Sequence, residues 1–253
     1  MSHAAMGRCV LRNFVLTVVV EVEGQMLEGR GWSYHLMRPR SVDAAERERM
    51  VRGHWCWRDT WGAMLRDLDG EELRFSDDFA RQDEIGALFN GNECVGLSGY
   101  RFVDLSLPWH RADSYFAPWP EALVEQIGAT TPHVCVGSNL VVAPSWRGQL
   151  TPMRVSEMLL ALAVQRFAES DAQIMLGTMR NDRRMNHVSY RMGARPLRTN
   201  VLHHHVAVDL VMFTRNTVDD IGLPPIRWVW PDASALERRS HEERIGKLRR
   251  TTR

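Results

Sequence analysis

The sequence lacks the cysteine pairs that mark a disulfide framework or a cysteine-rich zinc site. Its four cysteines are scattered, and none belongs to a C-x-x-C motif: Cys9, Cys56, Cys94 and Cys135. This spacing argues against a disulfide-stapled secreted module and favours a reducing, cytoplasmic compartment. Cys135 lies in an apolar run, where a thiol usually acts as a small buried hydrophobic group.

A surplus of charge is also missing, and so is a long apolar run. Lys and Arg number 32 against 31 Asp and Glu, a formal net charge of +1, which gives no reason to expect nucleic acid or a membrane surface as partner. The apolar run within residues 10–22 is bounded by Arg12, Glu21 and Glu23 and is too short to span a bilayer. We expect it to form an added strand at a sheet edge or a dimer contact.

Length and composition predict a globular protein with one large domain. The 253 residues are 44% hydrophobic and 25% charged, which suffices for a sizeable core. We predict an N-terminal extension with an added strand at 1–40, a main domain at 41–214, and a C-terminal segment with a charged tail at 215–253. Within the extension, Gly29, Gly31 and Pro39 favour a loop over residues 24–40.

The central feature of the sequence is a strand, turn, helix, strand and helix over residues 133–193. A β-branched apolar run at 134–142 lies between Pro132 and Pro144 and predicts a buried strand. Helical spacing of apolar residues follows at 153–168, then a second strand at 173–178 and a helix at 186–192 that Gly193 ends. Such a unit presents backbone N–H groups at a helix start, which suits a phosphate or an oxyanion.

This region resembles the GNAT acyltransferases. The run L-V-V-A-P-S-W-R-G at 140–148 is similar to the family signature that ends the central strand and begins the pyrophosphate loop. Asn181 and the pair Gly193-Ala194 resemble the later family segment, and residues 81–103 resemble the earlier hairpin. The resemblance implies an α/β fold with a mixed central sheet flanked by helices. It also implies N-acyl transfer from acetyl-CoA or a longer acyl-CoA to the amine of a small molecule or amino acid.

The pyrophosphate loop departs from the family pattern. Residues 147–154 contain one glycine and a proline, where most members have several glycines. Arg147 and Arg154 would then be the charge partners of a diphosphate. A second interpretation is an acyl carrier protein as donor, because residues 50–79 resemble the N-terminal half of acyl-homoserine-lactone and N-acyl amino acid synthases. A third is a fold relative that binds a ligand without turnover.

The resemblance also implies the residues of the site. Donor binding is expected along the strand end, the loop and the next strand: Leu140, Val141, Val142, Arg147, Gly148, Gln149, Arg154 and Asn181. The family's usual tyrosine, which protonates the leaving thiolate, corresponds to the position of Ser189, with Tyr190 next to it, so both are candidates. No motif identifies the general base, for which the candidates are Glu84, His133, His204 and a chain of water molecules.

Other segments leave two interpretations open. We predict a helix from Ser41 to about residue 68, broken near Gly53 or Gly62, whose tryptophans pack in the core or line an acceptor pocket. The aromatic, proline-rich insertion at 105–120 is either a substrate-selecting loop or a surface lid. If residues 203–205 are extended, His203 and His205 share a face, but no third ligand accompanies them, so no metal is predicted.

Overall fold

The computed structural model describes residues 31–40, 43–70, 72, 75–149 and 153–216, which form both helices and strands. The strands are β1 (Trp32–Met37), β2 (Glu84–Asn90), β3 (Glu93–Asp104), β4 (His133–Val142), β5 (Ile174–Arg180), β6 (Arg195–His203) and β7 (Val206–Thr214). The helices are α1 (Ala44–Asp69), α2 (Asp77–Ala80), α3 (Pro108–Arg111), α4 (Glu121–Thr130), α5 (Val155–Ala168) and α6 (Met185–Arg191). Short 3-10 turns lie at Ser114–Phe116 and Pro144–Trp146.

The described strands form one mixed sheet in the order β1-β2-β3-β4-β5-β7-β6. Every neighbouring pair in it is antiparallel except β4 and β5, which are parallel. Helix α1 packs against β3 and β4, while α5 packs against β2 to β5. The predicted mixed sheet with flanking helices is therefore confirmed.

Helix α5 covers the larger apolar core. Its side chains Met158, Leu159, Leu162 and Phe167 are completely buried and contact residues of the sheet such as Tyr100. Burying a side chain of this size stabilises the fold by roughly 1.5–3 kcal/mol. The helical spacing of apolar residues in the sequence predicted both this helix and the face it buries.

Helix α1 is continuous, so the predicted break near Gly53 or Gly62 is wrong. Asp43 caps its start by accepting a hydrogen bond from the backbone N–H of Glu46 at 2.7 Å, and Gly70 ends it in the left-handed conformation. Gly53 and Gly62 are both buried. Tertiary packing against the sheet outweighs the low helix propensity of these glycines.

Strand β1 corrects the prediction of a loop at 24–40. Residues Trp32–Met37 pair antiparallel with β2, from Trp32 opposite Asn90 to Met37 opposite Ile85. The segment W-S-Y-H-L-M has two strand-favouring aromatic residues but no β-branched residue, and the glycines and proline that flank it favoured a loop. It forms a strand because β2 offers a pairing edge, and Tyr34, Leu36 and Met37 are thereby buried. The added strand predicted at residues 10–22 and most of the C-terminal segment predicted at 215–253 lie outside the described residues.

The β6–β7 connection corrects a further expectation. His204 and His205 have φ angles of 47° and 58° and form a two-residue turn, so residues 203–205 are not extended together. None of the helices within the described ranges is both long enough and apolar enough to cross a membrane.

A row of buried hydroxyl groups lies between α5 and the sheet. The Tyr34 hydroxyl is 2.7 Å from that of Tyr100, which is also 2.7 Å from Ser98 Oγ. Gly86 makes room for the row, because a Cβ atom at that position would lie 1.8 Å from the Tyr34 hydroxyl oxygen. A Cβ at Gly53, by contrast, would meet its nearest neighbour, Leu97, at an ordinary 3.6 Å.

These two glycines give a matched pair of substitutions. Gly86→Ala should lower the free energy of unfolding by about 1–3 kcal/mol, because Tyr34 must leave its place. Gly53→Ala should leave it unchanged or raise it by up to about 1 kcal/mol, because alanine favours the helix. Urea unfolding followed by circular dichroism measures both. Equal midpoints for Gly86→Ala and the unchanged protein would contradict the described packing of the hydroxyl row.

Candidate active site

The candidate site lies where the two parallel strands separate. Pairing of β4 with β5 runs from Val134 opposite Ile174 to Gly137 opposite Gly177. Beyond this point β4 continues to Val142 and β5 to Arg180. Their carboxyl ends therefore enclose an opening edged by backbone groups, and in α/β sheets ligands bind in crevices at the carboxyl ends of strands.

A β-bulge in β4 marks the start of the opening. Between the pairs Leu97–Val141 and Gly99–Ser138, β4 takes three steps along the chain against two on β3. The extra residue is accommodated at Asn139, whose φ is +53°. The bulge resets the alternation of the strand, so that Val141 packs in the core beneath α1 while Leu140 packs against the core beneath α5.

Side chains on the α1 face hold this bulge. The Trp57 indole N–H donates to Asn139 Oδ1 at 3.3 Å, and Asn139 Nδ2 donates to the carbonyl of Asp78 at 3.1 Å. The same carbonyl accepts from Gln82 Nε2 at 2.6 Å, and Gln82 Oε1 accepts from Ser138 at 3.1 Å. Trp57 and Gln82 are buried. The bulge is thus fixed to α1 and to the segment around α2.

The loop after β4 leads from the bulge to the start of α5. Ala143 donates its backbone N–H to the carbonyl of Val95 at 2.9 Å, and the Trp146 indole donates to Glu93 at 2.9 Å. Gly148 has a φ of +74°, a conformation that glycine adopts without strain. The side chains of Arg147 and Arg154 are exposed on either side of residues 150–152, which are not described.

Most residues predicted to bind the donor therefore lie along one path. Leu140, Val141 and Val142 form the end of β4, Arg147, Gly148 and Gln149 lie in the loop that follows, and Arg154 immediately precedes α5. Asn181 lies at the end of β5, across the opening. The first backbone N–H groups of α5 have no partner within the helix, so an anion at this helix start would meet both these donors and the charge of Arg154.

A buried carboxylate that is not among the predicted site residues connects β5, α6 and β6. Asp209 of β7 accepts hydrogen bonds from the Tyr190 hydroxyl at 2.5 Å, from Asn181 at 3.0 Å, from Asn186 at 2.9 Å and from the backbone N–H of Asn200 at 2.8 Å. A single carboxylate inside the apolar run V-A-V-D-L-V-M-F was the available signal, since a buried charge needs partners.

These contacts shift the pKa values of both acidic groups. Burial alone would raise the pKa of Asp209, but the hydrogen bonds from Tyr190, Asn181, Asn186 and Asn200 outweigh it and bring the value to about 2. Burial, followed by the hydrogen bond and the charge of Asp209, raises the pKa of the Tyr190 phenol. Ser189 is also buried and donates to the backbone carbonyl of Asn186 at 2.8 Å. Both side chains predicted to protonate the thiolate thus have their protons engaged.

The three candidates for the general base lie apart from one another. Glu84 accepts two hydrogen bonds from Arg166, at 2.6 and 3.0 Å. His133 lies at the other end of β4, roughly 20 Å from Leu140 at the usual rise of a strand. His204 Nδ1 is 2.9 Å from Asp69 Oδ2 at the end of α1. The bulge at Asn139 therefore has none of the three in its hydrogen-bond network.

The described residues contain no group of three or more His, Cys, Asp or Glu side chains placed to hold a metal ion. The rings of His203 and His204 are tilted by 53° to each other, with their centroids 4.2 Å apart. Burial, and then repulsion from His204, lower the pKa of His203. The turn at 203–205 contacts the end of α1, because His204 Nδ1 lies 2.9 Å from Asp69 Oδ2.

Comparison with known proteins agrees with this geometry. No family profile matches the sequence, and no curated protein sequence does. The fold is similar to that of FeeM, an N-acyl amino acid synthase from uncultured soil microbes, with a TM-score of 0.54 and 12% identity over 78% of this chain and 97% of that chain. It is also similar to the AHL synthase LasI, with a TM-score of 0.50 and 13% identity over 74% of this chain and 92% of that chain.

The chain has a GNAT-like fold. Identities this low establish the fold and leave the reaction open. The GNAT resemblance seen in residues 81–103, 140–148 and 181–194 is confirmed at the level of the fold, because these residues form the β2–β3 hairpin, the end of β4 with its loop, and the segment around α6.

The Asp209 network predicts a loss of stability in acid. The folded pKa of about 2 lies below the ordinary 3.8, so the contribution of the carboxylate is complete above pH 4 and is lost as the pH falls from about 4 to about 2. Asp209→Asn should lower the free energy of unfolding at pH 7 by about 1–3 kcal/mol and flatten its dependence on pH in that window.

Asp171→Asn, at an exposed position, is the matched control and should change neither quantity. Chemical unfolding at a series of pH values measures both variants. An Asp209→Asn variant that keeps the full acid dependence of the unchanged protein would show that Asp209 is not the group responsible.

Proposed function

We propose that this protein is an N-acyltransferase that moves an acyl group from acyl-CoA to the amine of a small molecule or amino acid. The observation that carries the proposal is the opening between β4 and β5, with its bulge at Asn139 and the loop at 143–149 that follows the strand end. Acyl transfer from a thioester needs a place for the carbonyl oxyanion and a path for the leaving thiolate. The backbone groups that edge the opening are the proposed contacts of the thioester.

The loop and the helix start are proposed to bind the diphosphate of coenzyme A. Arg147 and Arg154 supply the charge, and the exposed Gly148 brings the backbone within reach of a ligand. The Nε atom of Arg147 donates to the carbonyl of Val142 at 3.2 Å, which orients the guanidinium beside the strand end. Arg183 and Arg184, exposed in the loop after β5, add positive charge across the opening.

We propose that water takes the proton from the acceptor amine and that water also protonates the leaving thiolate. Protonation of the thiolate by Tyr190 would require breaking its 2.5 Å hydrogen bond to Asp209, and Ser189 faces a backbone carbonyl. Glu84 is held by Arg166, so its use as a base would break an ion pair whose side chains are about 15% exposed. In this proposal Tyr190 positions α6 through Asp209 and does not exchange a proton with the donor.

A carrier protein as the acyl donor is the second candidate. Two observations favour it: the loop at 147–154 has a single glycine for close approach to a diphosphate, and the arginines around the opening suit an acidic partner. FeeM and LasI are described as synthases of N-acyl amino acids and of AHL, respectively, which is compatible with this branch.

The donor is tested by binding. Arg147→Glu should weaken coenzyme A binding at least about tenfold and leave pantetheine, which lacks the phosphates, within about twofold, because only the phosphates meet the guanidinium. Arg47→Glu, an exposed charge reversal at the start of α1, is the control and should leave both ligands unaffected. Calorimetric titration and native mass spectrometry measure the dissociation constants.

Three other results would redirect the assignment. Binding of an acylated carrier protein but of neither coenzyme A nor acyl-CoA would move the donor to the carrier. Binding of acyl-CoA without release of thiol in the presence of a panel of amines would leave a ligand-binding protein. Absence of binding to every donor would overturn the transferase.

The role of Tyr190 is tested separately. Tyr190→Phe should lower the free energy of unfolding by about 1–2 kcal/mol while leaving kcat for thiol release within about threefold, since the hydroxyl serves Asp209. The pH dependence of kcat should keep its shape. A fall in kcat of a hundredfold or more in a folded variant would instead assign Tyr190 to proton transfer, in keeping with typical effects of removing a general acid.

A further inference from the structure

The bulge of β4 places Asn139 in a backbone conformation that most residues avoid. Asn139 has a φ of +53°, in the left-handed region that costs residues other than glycine roughly 1–2 kcal/mol. Asparagine tolerates this region better than most residues, but tolerance alone does not select it. The surrounding contacts must therefore supply the preference.

Those contacts connect the strand to α1. The Trp57 indole is buried with 1% of its surface exposed, and its N–H points at Asn139 Oδ1. The Asn139 amide then donates to Asp78 at the α2 segment, so both ends of the side chain are bound. Gly99 of β3 leaves room for Gln82, which precedes β2, because a Cβ at Gly99 would lie 2.7 Å from Gln82 Oε1.

We propose that Trp57 and Asn139 form a brace that positions the backbone of residues 139–142 for the acyl donor, so that α1 sets the geometry of the donor strand. This rests on the proposed function, in which the thioester contacts that backbone. Asn139 and Trp57 are positioning residues: their side chains are bound to one another and to Asp78, and they act on the donor through the strand. The opening is thereby coupled to α1, and a change in α1 is transmitted to the donor strand.

Two variants remove the brace while sparing the fold. Trp57→Phe removes the indole donor and keeps an aromatic ring in the core, and Asn139→Gly keeps access to the positive φ and removes both side-chain bonds. Trp119→Phe is the matched control, because Trp119 is also buried and its indole donates to Thr178 Oγ1 at the same 3.3 Å.

The first measurement is amide hydrogen exchange in the free protein, which needs no ligand. Both brace variants should speed exchange across residues 139–142 about fivefold or more, the factor expected from losing a hydrogen bond of typical strength. In these variants, the exchange rate across residues 134–137, where β4 pairs with β5, should stay within about twofold of that of the unchanged protein. In Trp119→Phe, the exchange rate should stay within about twofold along the whole of β4. Unchanged exchange at 139–142 in both brace variants overturns the inference.

The second measurement uses coenzyme A as the probe. Both brace variants should weaken its binding about fivefold or more, whereas the control should not. If the control weakens coenzyme A binding as much as the brace variants do, the inference is overturned, since the loss of any buried indole would then have the same effect. If the unchanged protein binds no coenzyme A, the proposed donor fails, and the exchange measurement still decides whether the brace exists.

Discussion

The architecture depends on one extra residue in the central strand. Without this residue, the alternation of β4 would place Val141 beneath α5 and Leu140 beneath α1, so each side chain would face the opposite core. With it, Asn139 takes a positive φ, the strand bends away from β5, and a backbone-edged opening forms in the middle of the sheet. The loop at 143–149 and the start of α5 are placed by where that strand ends.

The other wall of the opening depends on a buried charge. The Asp209 carboxylate accepts hydrogen bonds from the loop after β5, from helix α6 and from the irregular stretch of β6, and so holds the three together. Charged and polar groups in the centre of this protein are thus mostly committed to each other, as Glu84 is to Arg166. The arginines exposed around the opening are the proposed contacts of the donor, and the proposed chemistry therefore relies on binding, backbone contacts and water.

Sequence patterns predicted the elements whose local signals agreed with their surroundings. The apolar run of β4, the helical spacing of α5 and the glycine-turn hairpin of β2 and β3 were all recognisable, and the motif at 140–148 led to the GNAT fold. Where local signals and tertiary context disagreed, prediction failed. Strand β1 has no β-branched residue and exists because β2 offers an edge, and α1 stays continuous through Gly53 because the sheet packs against it.

The sequence by itself determined the α/β class, the order of elements over residues 133–193 and the stretch proposed to bind a donor, because periodicity and turn residues are local properties. Tertiary structure alone decided which side chains distant in sequence contact one another. It placed Trp57 against Asn139, Asp69 beside His204 and Tyr190 on Asp209, although 82, 135 and 19 positions separate the members of these pairs. Hydrogen-bond partners are set by position in space, and the proton of a candidate acid is free or engaged only once its neighbours are known.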